Sequence, residues 1–346
     1  MKKLTTEQRQ WRTLQNMLRG YRFGQILMTC ARLGVFDALA SNAQTATELA
    51  TQLNVNANGL ARLLNAAVSL KLLKLKKNSS SAQTASNRYA IAPLAQTSLL
   101  PNSPFPLGRM MRREHVFYQR WADLDEAVKT GTRPELNTRD EKSSHWVMDF
   151  ELALFDNAKI QAPIIADQLQ LPSDRPFRVL DVGGGHGGYC MALVQRYPNV
   201  QPTVYELPAA AKAAEQIIAS QGMSAQVAVQ TGDFQKEDFS PDWDMMLLFG
   251  VLVSETPEGK LRLLRKCHAG LAKGGKVVIR EWWLDDNRAG PLESTLFSLH
   301  MLLSTQAGDI STQTEMFGYL REAGFSHVRV LPLPEWLGGA LVMGEK

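Results

Sequence analysis

Val179-Leu180-Asp181-Val182-Gly183-Gly184-Gly185-His186-Gly187-Gly188 decides how the rest of the chain is read. An apolar run ends on an acid, and a glycine-rich turn opens from it into a helix. Such a turn lets a small ligand lie against bare backbone. One helix later a second strand ends on an acid, Val204-Tyr205-Glu206, and a third strand end follows at Gly232-Asp233-Phe234. Acidic or glycine-lined strand ends separated by helices describe a nucleoside-binding crevice on a parallel sheet.

The glycine spacing alone is ambiguous. Gly183, Gly185 and Gly188 satisfy G-x-G-x-x-G, which also marks dinucleotide sites. Asp181 separates the two readings. Its carboxylate falls where a dinucleotide places its pyrophosphate, and two anions there repel. It suits a ligand with an ammonium group, such as S-adenosylmethionine. Glu206 serves either ligand, because an acid at the second strand end accepts hydrogen bonds from ribose hydroxyls. Asp233 offers an acceptor near an adenine amino group.

Working outward, strands are expected at 177–182, 202–206, 226–230, 244–249, 276–281, 328–331 and 340–343, alternating with helices up to the last pair. Pro208 can open one helix, and Pro257 another after a Thr256 cap. Gly274-Gly275 is read as the end of that second helix. Thr312 and Glu315 form a capping box. The fold class expected is α/β, a Rossmann-like doubly wound sheet. The last two strands have a short connection and should pair as an antiparallel hairpin at one edge.

Towards the N-terminus the pattern turns helical. Trp11, Leu14, Leu18 and Tyr21 make one apolar stripe, and a helix around 25–33 is apolar on several sides, as at subunit interfaces. Thr45 and Glu48 form a capping box, and Asn56 or Asn58 caps the helix of Leu60, Leu63, Leu64, Ala67 and Val68. Leu72-Leu73-Lys74-Leu75 and Arg88-Tyr89-Ala90-Ile91 read as strands around a polar loop. Together these make a winged-helix pattern. Its polar side offers only Arg62 and Asn65, and its wing has few cations, so nucleic acid is not the expected partner. The domains expected are therefore a winged-helix-like dimerisation domain over 1–100, a helical linker and acceptor-pocket segment over 101–170, and a ligand-binding domain over 171–346. The middle segment carries Met110, Met111, Phe117, Trp121, Trp146, Phe150 and Phe155, mostly core, with some lining an acceptor pocket.

Composition agrees. The chain has 346 residues, enough for two cores, and a net charge of +4 without a dense basic run. The polar start and the lack of a spanning apolar run point to a cytoplasmic protein with no membrane partner. Cys30, Cys190 and Cys267 fit neither a disulfide framework nor a metal set, and are expected as buried thiols.

With D-V-G-G-G-x-G, Tyr-Glu-Leu-Pro, G-D-F, G-L-A-K-G-G-K and E-A-G-F in this order, the chain resembles small-molecule O-methyltransferases of the caffeic-acid and hydroxyneurosporene type over nearly its whole length. The resemblance implies S-adenosylmethionine as cofactor, a small-molecule acceptor, and a homodimer formed through the N-terminal domain. It places donor-binding residues at Gly183, Glu206, Asp233 and Phe234. Asp181, Gly185, Leu207 and Phe249 complete the set. The family's general base is a His in V-L-H-D-W. Here the segment reads Val251-Leu252-Val253-Ser254-Glu255, so the base position is Val253, which cannot take a proton. Of the two acids that orient that His, one matches Glu281 and the other falls near Ile310, beside Asp309.

Methyl transfer survives such a loss. Fixing two reactants in near-attack geometry can supply ~7–11 kcal/mol, whereas a general base contributes only ~10²–10⁴-fold. Glu281, His300 and Glu255 are the candidate catalytic residues, with His145 and the Trp282–Trp283 pair as possible acceptor contacts. His186 is expected to face solvent or the donor carboxylate. Oxygen is the expected acceptor atom, and three further readings follow from the same residues. One is methylation of a nitrogen, carbon or sulfur. Another is a non-methylating step on the same fold, such as decarboxylation, hydroxylation or rearrangement. The last is a non-enzymatic regulator using the winged helix.

Overall fold

The computed structural model describes residues 4–76, 87–100, 103–134 and 144–346. They divide into two compact units, Met1–Phe117 and Tyr118–Lys346.

The first unit opens with α1 (Thr6–Arg19), which begins in a Thr5–Gln8 capping box, and α2 (Tyr21–Arg32). Then come α3 (Val35–Ala38), α4 (Ala46–Leu53) and α5 (Ala57–Ser69). Thr45 and Glu48 cap α4 reciprocally, and Asn56, not Asn58, caps α5. The antiparallel pair β1 (Leu73–Lys76) and β2 (Arg88–Ile91) closes the pattern, with Leu73 opposite Ile91. The wing between them lies outside the described residues. Cys30, Phe36, Leu49, Leu64 and Leu73 form this unit's core. No residue of α1 is buried, and its stripe stands in the open: Leu14 is 65% and Leu18 76% exposed.

After α6 (Pro93–Ser98), the helix α7 (Gly108–Trp121) carries the chain from the first unit to the second. Of the seven apolar residues expected to be mostly core between 101 and 170, only Met111, Phe117 and Phe155 are buried; the other four are half-buried.

The second unit contains α8 (Leu124–Thr130), the long α9 (Ser144–Leu169), β3 (Phe177–Val182), α10 (Gly188–Arg196), β4 (Val200–Glu206), α11 (Pro208–Ser220), β5 (Ala228–Thr231), β6 (Trp243–Phe249), α12 (Pro257–Gly270), β7 (Leu271–Glu281), α13 (Leu292–Ser304), α14 (Gln313–Glu322), β8 (Ser326–Leu331) and β9 (Ala340–Glu345). The sheet order is β5-β4-β3-β6-β7-β9-β8. The first five strands are parallel, and β9 slots antiparallel between β7 and β8. The strand order reverses between β3 and β6, so the ligand crevice of such a sheet lies at their carboxyl ends. Central strands read as continuous apolar runs because helices cover both faces. Val179, Leu180, Met245, Met246, Leu247 and Leu248 are all at most 1% exposed.

Two expectations about this unit need correction. Gly274-Gly275 does not end α12, which stops at Gly270. Leu271 turns extended because it pairs with Trp243 at the far edge of β6. The two glycines instead fall where the β6–β7 register shifts, with Gly274 at φ +75°. Similarly, β4 and β8 start two residues earlier than their apolar patterns indicate, β4 because buried Val200 pairs with Phe177 and β8 because exposed Ser326 still pairs with Glu345.

Candidate functional site

Gly183 directly follows β3, and its N–H donates to the Tyr205 carbonyl on β4 at 2.8 Å. Its φ is +66°, and a Cβ there would stand 2.6 Å from Val251 Cγ2, just past β6. Only glycine lets the turn pass this close across the switch point. Gly185 is constrained from the other side. Its φ is +48°, and an added Cβ would meet Glu151 Oε2 at 2.5 Å.

Three carboxylates surround this turn. Asp181, at the end of β3, is fully buried and sealed beneath Gly184. Its Oδ2 accepts from Cys190 Sγ at 3.5 Å and its Oδ1 has no partner. Burial pushes its pKa up to about 7. Glu206, at the end of β4, accepts from the Gly185 N–H at 3.2 Å and the Leu207 N–H at 2.7 Å. Burial raises its pKa, while those two N–H groups oppose the rise. The third is Glu151 on α9, 6% exposed, with Oε2 unpartnered. Burial, and then the Glu206 charge, push its pKa up to about 8, against one bond from the His186 backbone. Among the described residues no Lys or Arg pairs with any of the three.

Buried carboxylates without a counter-charge are costly, and two unpartnered oxygens beside a bare glycine turn fit a cationic ligand. An additional diphosphate would worsen the repulsion. The residues present therefore fit an adenosyl amino acid with an ammonium or sulfonium, and they do not fit a dinucleotide. No group of three or more metal-ligating side chains occurs among the described residues.

The remaining ligand candidates lie along the same strand ends. Asp233 is held by Lys236 at 2.8 Å and by the Gln235 N–H at 3.0 Å, which together lower its pKa. Phe234 packs on the sheet core, and Leu207 is half exposed. Phe249 meets the Tyr189 ring edge-on at 4.7 Å between centroids. His186 corrects an expectation. It is buried and so does not face solvent, and its Nδ1 accepts from the Gly188 N–H at 2.8 Å where α10 begins. Burial lowers its pKa to about 4, leaving a neutral ring.

A second cluster forms past β6 and β7. Val253 is buried with Leu284, Met301 and Ile310, and Trp282 and Phe297 pack against them. Glu281, 2% exposed at the end of β7, accepts the Val253 N–H through Oε1 at 3.0 Å; its Oε2 has no partner. Burial pushes its pKa up to about 7, although Lys260 and the N–H groups of Val253 and Leu252 act in the opposite direction. His300 stacks on Phe297 at 5.8 Å and lies 3.4 Å from Ser304 Oγ. Asp309 is tied to Arg288 at 2.5 Å and to Ser298 at 2.6 Å. Glu255 accepts from Gln235 at 3.0 Å, and its carboxylate covers Gly259 at the start of α12. The tryptophans part company: Trp282 joins the Val253 cluster, while Trp283 packs on the sheet core with Phe317. The side chain of His145 lies outside the described residues.

Sequence reasoning missed Glu151. Its only signal is a lone acid in the apolar run Phe150-Glu151-Leu152-Ala153-Leu154-Phe155. A helix acid of that kind is usually solvated, and only the packing of α9 on α10 turns it inward.

Comparison with known proteins fits this geometry. A sequence model of an O-methyltransferase domain matches residues 130–326, and one of an O-methyltransferase dimerisation domain matches residues 15–100. The chain is 28% identical to 3-hydroxy-5-methyl-1-naphthoate 3-O-methyltransferase of Streptomyces sahachiroi over 332 residues, covering 93% of this chain and 91% of that one. Human N-acetylserotonin methyltransferase in complex with SAM superposes with a TM-score of 0.87 at 26% identity, covering 99% of both chains. PigF with SAH gives a TM-score of 0.83 at 26% identity, covering 99% of this chain and 100% of that one.

Proposed function

Because the chain belongs to the O-methyltransferase family, we propose that it methylates an oxygen of a small aromatic or conjugated metabolite, using S-adenosylmethionine and working as a homodimer. One observation carries the cofactor reading: the glycine turn is ringed by Asp181, Glu206 and Glu151, with no described cation to balance them. Bound there, S-adenosylmethionine supplies an electrophilic methyl group on a sulfonium. Gly183 and Gly185 admit it against the backbone, and Glu206, Leu207, Asp233, Phe234 and Phe249 line the adenosine side. Asp181 acts from beneath Gly184 through its field.

The acceptor stands against Trp282, Phe297 and Met301. Val253 contributes only an apolar wall. Glu281 takes the base's place: Oε1 is anchored on the Val253 N–H, and Oε2 is left to receive the hydroxyl proton of the acceptor. A carboxyl with a pKa near 7 is matched to that task at neutral pH. His300 borders the acceptor through its stack on Phe297. Glu255 is engaged at the start of α12 and has no step in this scheme. The open N-terminal stripe on α1 supports the homodimer.

Incubation with S-adenosylmethionine and a panel of phenols, followed by mass spectrometry, tests this reading. One adenosylhomocysteine should form per methylated acceptor. Loss of the His base at Val253 favours one alternative, a non-methylating reaction on the same fold. Intact donor after full substrate turnover would decide for it.

A further inference from the structure

We propose that Glu151 is a cofactor-binding residue whose carboxylate takes the ammonium group at the amino-acid end of S-adenosylmethionine, over Gly185. The inference rests on the crevice holding that cofactor. Of the three acids around the turn, only Glu151 combines the right position with an open oxygen. Asp181 is sealed beneath Gly184 on the far side of the loop. Both oxygens of Glu206 already accept N–H groups, from Gly185 and Leu207. Glu151 Oε2 sits 2.5 Å from where a Gly185 Cβ would be, so it occupies the space directly over the turn, and it has no partner there. The side chain is more than nine-tenths buried, and the nearby His186 backbone N–H favours its charged form against the effect of burial.

The chemistry selects the ammonium over the sulfonium. An ammonium donates three hydrogen bonds and can satisfy an orphaned carboxylate oxygen; a sulfonium donates none. The nearest cation along α9, Lys159, is already engaged with Asp156 at 2.6 Å. Gly185 is thus required twice, by its backbone conformation and by the carboxylate over it.

Three probes separate this role from a structural one when binding is measured by calorimetry. Adenosylhomocysteine has the ammonium and a carboxylate, its decarboxylated analogue keeps only the ammonium, and 5′-methylthioadenosine lacks the whole tail. Glu151→Gln should weaken the first two by roughly 10–100-fold, as expected for a lost charge-assisted bond, and leave methylthioadenosine unchanged. Glu151→Asp, which retains the charge but retracts it, should give a smaller loss in the same order, and it serves if the Gln variant does not fold. Equal losses for all three probes would make Glu151 a loop support and overturn the assignment. So would undiminished binding of adenosylhomocysteine. Failure of the unsubstituted protein to bind any of the three would instead remove the cofactor reading beneath it.

Discussion

Val253 and Glu281 show how one side chain changes the chemistry open to its neighbours. Glu281 has one oxygen anchored on the Val253 N–H and one without a partner. Glu281→Gln preserves shape and the acceptor for the Val253 N–H but cannot take a proton. Turnover should fall by roughly 10²–10⁴-fold, with adenosylhomocysteine affinity unchanged, in paired kinetic and calorimetric measurements. A turnover within twofold of the parent enzyme would mean the proton leaves by another route. At Gly183 the constraint is steric. Gly183→Ala puts a Cβ into Val251 Cγ2 at φ +66°, and left-handed strain alone costs ~1–3 kcal/mol. A lowered denaturant midpoint and loss of adenosylhomocysteine binding are expected together. Both positions are readable in the sequence, the first as a departure from a motif and the second as a motif glycine. What the sequence does not contain is where Glu281 Oε2 points.

Elements were foreseeable where their signals are local. The boxes Thr45–Glu48 and Thr312–Glu315 cap α4 and α14 as their spacing indicates, and Pro208 and Pro257 open α11 and α12. The end of α12 was not, because Leu271 is drawn into the sheet by a distant partner, Trp243. Helix α1 is a clear case of an element that one chain leaves unfinished. Its apolar stripe packs no core, and apolar patches of this kind mark association surfaces. Leu14→Glu combined with Leu18→Asp should halve the mass seen by light scattering. The circular dichroism of the rest should persist, since α1 contributes nothing to the buried core. An unchanged mass would place the subunit contact elsewhere.

At the scale of the whole molecule, the buried acids govern how stability depends on pH. Glu151, Asp181 and Glu281 hold protons in the folded state up to about 8, 7 and 7, whereas the unfolded chain releases them near 4.5, 3.8 and 4.5. Where the unfolded state binds fewer protons, stability falls as pH rises. His186 acts in the opposite sense, because its folded pKa near 4 lies below its unfolded 6.5, but its contribution is complete above that value. Between about pH 6.5 and 8 only the acids remain, and the melting temperature of the ligand-free protein should decline across that window. Glu151→Gln should flatten the upper part, between about 7 and 8. A melting temperature that rises there would show that these carboxyls ionise in the fold without penalty.

The sequence by itself determined the parallel sheet, the glycine turn, the acids at the strand ends and the capped helices. Each depends on an apolar period, a backbone angle or a cap formed within a few residues. The tertiary structure alone decided that Glu151 lies over Gly185, that His186 folds back onto α10, that Val253 enters an apolar cluster, and that β9 inserts between β7 and β8. Those outcomes follow from packing between segments remote in the chain, where burial and steric fit choose among partners that no local pattern can rank.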